Sequence, residues 1–150
     1  MGVQRRSGGR SHRIKRSPFR NLTLSEQASA EYEQRNANLL ILGFRDYKQY
    51  LRSAHWKSIR RAQLARQPQC YGCSKKASQV HHGHYSKEIL AGETILGLYS
   101  ICKRCHIWIE ITRSGVKRGP TEATQELLRM KKILAVRRAN AETKRRAARR

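Results

Sequence analysis

Two Cys-x-x-Cys pairs, Cys70-Tyr71-Gly72-Cys73 and Cys102-Lys103-Arg104-Cys105, use all four cysteines of the chain and bracket residues 74–101. A two-residue gap turns the backbone back on itself and points both sulfurs inward. Two such knuckles complete a tetrahedral shell of four thiolates, which suits zinc. The competing readings are a redox pair or buried free thiols, and neither explains two matched pairs. The expected zinc is structural, because four cysteines leave no open position for water. Gly72, Lys75 and Lys76 fit a knuckle whose amides and cations offset thiolate charge.

A staple of this kind answers a need set by composition. The chain has 150 residues, 38% hydrophobic and 7% aromatic, which is lean for a core held by apolar burial alone. The length fits one compact domain plus tails. With 33 Lys plus Arg against 10 Asp plus Glu, the formal net charge is +23 and the pI is near 11.1. Such a chain calls for a polyanionic partner, nucleic acid before any other. The longest apolar stretch, Leu39-Leu40-Ile41-Leu42, is far short of the ~20 residues that span a bilayer. No membrane association and no signal peptide are expected. The chain is therefore read as intracellular, of cytoplasm or nucleoid, where thiols stay reduced.

The charge is concentrated at both ends. Residues 1–20 hold seven Lys or Arg and no acid, and residues 129–150 hold ten against Glu142 alone. Such density of one sign repels itself unless a polyanion neutralises it, so both ends are read as arms that lie along phosphates. Arms of this kind give affinity without sequence choice.

Residues 1–22 lack periodicity and are expected to be a disordered basic arm. Residues 23–67 form a helical lead-in. Thr23 and Glu26 make a capping box for a helix from about Leu24 to Arg35. Tyr47, Tyr50 and Leu51 sit at helical spacing, and Ser53 caps a third helix that ends before Pro68. Trp56 falls on one stripe with Ile59 and Leu64, so it is assigned to the core rather than to base stacking. Residues 68–114 hold the knuckles. Residues 115–150 begin with a turn-rich linker, then run from Thr121 into a long basic helix whose first turns are amphipathic.

Between the knuckles lies Val80-His81-His82-Gly83-His84-Tyr85, and His106 follows the last cysteine directly. Adjacent strand side chains face opposite ways, so at most one of His81 and His82 enters a core. His106 follows a knuckle that opens a helix, which makes its position rigid. Three histidines at the edges of a knuckle-closed unit read as a second metal site with a base beside it.

Over residues 56–110 this order of motifs resembles the HNH, or ββα-metal, endonucleases, in the branch clamped by a four-cysteine zinc. The matching pieces are Trp56 with Ile59-Arg60, the two knuckles, the His81-His82 segment, Gly92-Glu93, and Leu98 through His106. The resemblance implies a β-hairpin followed by a helix, with a catalytic divalent ion between them. It implies His81 and His106 as ligands of that ion, His82 as general base, and Glu110, one helical turn past His106, as a further ligand. The ion could be Mg²⁺, Mn²⁺, Ni²⁺ or Zn²⁺, since mixed N and O donors do not choose sharply. The reaction implied is phosphodiester hydrolysis in DNA, leaving 5′-phosphate and 3′-hydroxyl ends. The chain departs from the family at one place: the central Asn, nine residues before the helix His, is Gly97.

The resulting expectation is an α+β chain: a small zinc-stapled ββα-metal unit flanked by helices, with a basic N-terminal arm and a basic C-terminal helix. The leading function is a metal-dependent endonuclease acting on double-stranded DNA. The alternative is an HNH-fold zinc protein that binds DNA or RNA without cleaving it. Arg60, Arg104 and Arg113 are the candidate phosphate contacts of the central unit.

Overall fold

The structure, a computed structural model, describes residues 23–149. The basic arm expected over residues 1–22 lies outside the described residues. The chain starts with α1, Leu24–Ile41. Its capping box forms as the sequence predicts: the Thr23 N–H donates to Glu26 Oε2 at 2.8 Å, and the Glu26 N–H donates to Thr23 Oγ1 at 3.3 Å. A cap of this type stabilises a helix by about 1 kcal/mol. The helix runs six residues past the predicted end. Asn38 is buried there, and its Nδ2 donates to the Tyr85 carbonyl at 2.8 Å. A tertiary hydrogen bond, which no periodicity announces, extends the element.

Two short helices follow, α2 at Tyr47–Arg52 and α3 at Ala54–Arg66. Ser53 serves both: its hydroxyl donates to the Tyr50 carbonyl and accepts from the Trp56 N–H. Strand β1, Gln79–His82, pairs antiparallel with β2, Leu98–Ile101, in the register His81 opposite Tyr99 and His82 opposite Leu98. The connection holds a helix that the sequence reading did not propose, α4 at Lys87–Ala91, capped by Ser86. Helix α5, Lys103–Glu110, starts at Cys102, and α6, Pro120–Ala147, closes the chain. The architecture is α+β, a two-stranded sheet among helices. No helix among the described residues is long and apolar enough to cross a membrane.

The hairpin divides the core in two, because neighbouring strand residues point to opposite faces. Val80 and Leu98 enter one cluster with Leu39, Tyr50, Trp56, Ile89 and Leu90. Ile101 enters the other, with Cys70, Cys105, Ile109, Ala123 and Leu127. Trp56 is 5% exposed, with Ile59 and Leu64 packed against its cluster, as the stripe predicts.

A two-stranded sheet leaves backbone groups open along its edges, which must be satisfied when buried. Helix α3 and its C-cap residue serve β2 with two glutamines. Gln63 is fully buried and donates from Nε2 to the Leu98 carbonyl at 3.1 Å, while Gln67 Oε1 accepts from the Ser100 N–H at 3.1 Å. The first knuckle adds the Tyr71 N–H, which donates to the Ser100 carbonyl at 2.8 Å. The edge is thus held between the lead-in helices and the cysteine unit, and that fixes where β1 presents its histidines.

Candidate metal centres

The four cysteines gather where the two knuckles meet. Their sulfurs lie within 4.8 Å of one another, with Cys73 and Cys102 at 3.7 Å. A zinc ion ~2.3 Å from each of four tetrahedral sulfurs would space them by ~3.8 Å. The donor set can therefore hold a structural metal such as zinc. In the first knuckle the Cys70 N–H donates to the Lys75 carbonyl at 2.6 Å and the Ser74 N–H to the Cys70 carbonyl at 2.8 Å. Ser74 takes φ 61 to close that turn. In the second knuckle the Cys105 N–H points at Cys102 Sγ, 3.5 Å away.

Helix α6 also braces the first knuckle. Arg138 donates to the Cys73 carbonyl and to Ser74 Oγ, each at 3.0 Å, and the Lys131 ammonium sits 3.6 Å from the centroid of the Tyr71 ring. Gly72 packs under α6, where a Cβ would meet the movable end of the Met130 side chain and lie 3.4 Å from Leu127 Cδ1.

A second set of donors forms across the hairpin and α5. One ligand atom each from His81, His106 and Glu110 lies within 4.8 Å of the others. His106 and Glu110 are one turn apart on α5, with Nε2 and Oε1 3.3 Å apart. Adjacent N and O ligands at ~2.1 Å from a shared ion sit at about that spacing. The other nitrogen of His106 is engaged: Nδ1 lies 2.9 Å from Gln79 Oε1. If Nδ1–H donates to that amide oxygen, Nε2 turns a bare lone pair toward a carboxylate. Two acceptors at that range call for a proton or a metal cation between them. His81 Nε2 lies 3.0 Å from Thr124 Oγ1, and that hydroxyl is 2.9 Å from the Pro120 carbonyl, to which it can donate. Burial first, and then the charge of His106, lower the His81 pKa to about 4. A neutral imidazole of this kind is the ligand form.

His82 points the other way. Its ring stacks on Trp56 at 4.5 Å and on Tyr85 at 5.2 Å, and Nδ1 lies 3.3 Å from the Tyr47 hydroxyl. The side chain is 3% exposed, and its Nε2 has no hydrogen-bond partner. Burial, then the charges of His81, His106 and Arg35, lower its pKa to about 3. His81 and His82 face different sides of β1, as strand alternation predicts, but both are buried, at 5% and 3% exposure, so the expectation that at most one enters a core does not hold. Both line one cavity of about 130 Å³ together with His106, Glu110, Arg35 and Lys117.

The three arginines singled out in the sequence stand apart from this cavity. Arg60 is held by its donation to the Ser78 carbonyl at 2.6 Å, and Arg104 and Arg113 are exposed. None lines the cavity. Arg35 and Lys117 do, and the sequence offered no signal for either. They come from α1 and from the linker before α6, outside the motifs. Gly97 has a structural reason. Its φ is 96, and a Cβ there would lie 2.8 Å from His84 Nε2 and 3.0 Å from Ile89 Cδ1. Its carbonyl accepts from the Gly83 N–H at 2.7 Å, so backbone closes the loop between the strands. Ser100 in β2 is buried against Gln63, and Glu93 is exposed.

Comparison with protein families, characterised proteins and solved structures gives no match to this chain.

Proposed function

We propose that the chain is a metal-dependent endonuclease of the HNH type that hydrolyses phosphodiester bonds in DNA. The observation that carries this reading is the His81, His106 and Glu110 cluster, with His82 beside it, in one cavity that also presents cations. The order of motifs and the net charge of +23 agree with it. In this reading Cys70, Cys73, Cys102 and Cys105 hold a structural zinc.

His81, His106 and Glu110 would hold the catalytic divalent ion, Mg²⁺, Mn²⁺, Ni²⁺ or Zn²⁺. When bound, that ion supplies Lewis-acid stabilisation of phosphoryl charge. Gln79 and Thr124 fix the rings of His106 and His81. His82, with Nδ1–H donated to the Tyr47 oxygen, keeps Nε2 free to take a proton from the attacking water. The basic surface of α6 and the residues 1–22 supply sequence-independent affinity for the backbone.

The test is nicking of supercoiled plasmid with and without added Mg²⁺ or Mn²⁺, with His82→Ala as control. Nicking that requires the ion and is lost in the variant is expected. Absence of nicking with every divalent ion would remove the enzyme reading.

A second reading, a nucleic-acid-binding protein that does not cleave, is favoured by one observation. The burial that holds His82 near pKa 3 makes it a weak proton acceptor at neutral pH, whereas a general base works best near the operating pH. Stable duplex binding without nicking is its signature.

A further inference from the structure

The cavity beside the histidine cluster contains a cation that the donor set does not use. Arg35 sits on α1, and its guanidinium carbon lies 4.3 Å from the centroid of the Tyr47 ring, 4.9 Å from Tyr32 and 5.4 Å from Tyr85. Three aromatic faces hold it in place by cation–π attraction. Its Nε and Nη2 both donate to Asn36 Oδ1, a neutral amide, at 3.2 and 3.1 Å. No carboxylate pairs with it among the described residues. The fork of a guanidinium is thus fixed at a cavity wall with its charge unanswered.

A second cation lines the same cavity. Lys117 follows the turn closed by its bridge to Ile111, and its charge is among those that lower the Glu110 pKa. Arg118, also at the wall, is already used: it donates to the carbonyls of Trp108, Ile109 and Ile111 and pairs with Glu122. Glu110, on the same wall, answers the charge of Lys117 in part, which leaves Arg35 as the cation an entering anion would neutralise. The cavity, about 130 Å³, has room for several waters and so for a phosphoryl group.

We propose that Arg35, assisted by Lys117, is a phosphate-binding site that seats a backbone phosphodiester of nucleic acid against the His81, His106 and Glu110 cluster. The proposal deepens the nuclease reading and takes its substrate from it. The fork geometry of arginine matches two oxygens of one phosphate. The tyrosines set its orientation beforehand, so less freedom is lost when the anion arrives.

The experiment uses the full chain as purified, without added divalent ion. A short DNA duplex is titrated by fluorescence anisotropy over a salt series, with wild type, Arg35→Met and Arg35→Lys. Arg35→Met keeps an apolar stem against the tyrosines and removes the charge. Its affinity should fall about tenfold, and the slope of log K against log salt should become shallower by about 0.9, the value of one phosphate contact. Arg35→Lys should keep the wild-type slope with weaker binding. A role confined to packing the tyrosines would lower the melting temperature and leave the slope unchanged.

Wild-type protein gives an independent readout should Arg35→Met fail to fold. The Nε–Hε resonance of Arg35 should shift on titration with inorganic phosphate, and chloride at matched ionic strength should not move it. An unchanged slope in a folded Arg35→Met protein overturns the proposal, as does a silent Arg35 resonance where that variant does not fold. A phosphate-induced shift with an unchanged duplex slope overturns the nucleic-acid source and leaves a site for free phosphate. The two readings fail separately. If wild type nicks no plasmid but Arg35→Met loses the slope, the nuclease reading falls and the phosphate site stands. If wild type nicks and Arg35→Met matches it in slope and rate, the phosphate site falls alone.

Discussion

Gln79 Oε1 lies 2.9 Å from His106 Nδ1, so the first residue of β1 orients a donor carried by α5. The contact crosses from strand to helix and fixes which nitrogen of His106 faces Glu110. Partners of this kind, one step behind the metal ligands, typically change metal affinity 10–100-fold when removed. Gln79→Leu is expected to weaken Mn²⁺ binding by about that factor in calorimetry while leaving the melting temperature close to wild type. Unchanged Mn²⁺ affinity would show that His106 is oriented by its helix alone.

The cysteine cluster leads to a prediction about folding. Metal binding energy at such a site is folding energy. Elemental analysis of purified protein is expected to find about one tightly held zinc per chain, in the ratio that four thiolates define. Cys105→Ser should lose the metal and unfold the region between the knuckles, read by the loss of dispersed amide resonances. A well-folded wild-type protein without zinc would overturn this.

The proposed function assigns His81 as ligand and His82 as base. His81→Ala and His106→Ala should weaken Mn²⁺ binding and abolish nicking together. His82→Ala should leave Mn²⁺ and duplex binding intact and slow nicking by ~10²–10⁴-fold, the usual contribution of a general base. Because the His82 ring packs on Trp56, His82→Phe should accompany it as a variant that keeps the aromatic slot filled. If either His82 variant loses Mn²⁺ as His81→Ala does, the division of roles is wrong.

The buried position of His82 also sets a pH dependence. Its pKa in the folded chain is lowered to about 3 from the ordinary 6.5. As pH falls, the unfolded chain takes up the proton first. The stability that depends on neutral His82 is therefore full above about pH 6.5 and is lost progressively as pH falls toward its folded pKa. Between these limits one such histidine costs about 1.4 kcal/mol per pH unit. The melting temperature of wild type should fall more steeply between pH 6.5 and pH 4 than that of His82→Phe. Acid also protonates the cysteines, but both proteins share that loss and the difference isolates His82. Parallel curves would contradict the burial described here.

Gly97 stands where the resembled family has Asn, and restoring that amide looks attractive from the sequence. The structure predicts the opposite outcome. With φ 96 and His84 and Ile89 in the path of a Cβ, Gly97→Asn should lower the melting temperature and fail to raise nicking. The backbone strain alone is of order 1–3 kcal/mol. A gain in nicking rate at unchanged stability would restore the sequence-based expectation.

Much of this arrangement is legible in the chain because it is local. Thr23 with Glu26 and Ser53 before Ala54 announce helix starts through side-chain chemistry within three residues. The knuckles announce themselves by spacing, and strand alternation sends the His81 and His82 side chains to different faces. What escapes is long-range. The last turns of α1 are held by Asn38 reaching Tyr85, 47 residues away. The short α4 carries no periodicity of its own. Arg35 enters the cavity because α1 packs against α2, α4 and α6, and no motif in its neighbourhood marks it. Arg60, Arg104 and Arg113, the phosphate contacts expected from the sequence, do not line the cavity.

Helix α6 has a mechanical consequence. Within one 28-residue rod, roughly 42 Å long, Thr124 meets His81, Leu127 joins the cluster of Cys70 and Cys105, and Arg138 grips the first knuckle. A rigid splint fastened at three points does not let one fracture open while the other stays set. Damage to the sulfur cluster should therefore be felt at His81 through the loss of Thr124, and chelation and thermal melting should both release the two centres in a single cooperative step.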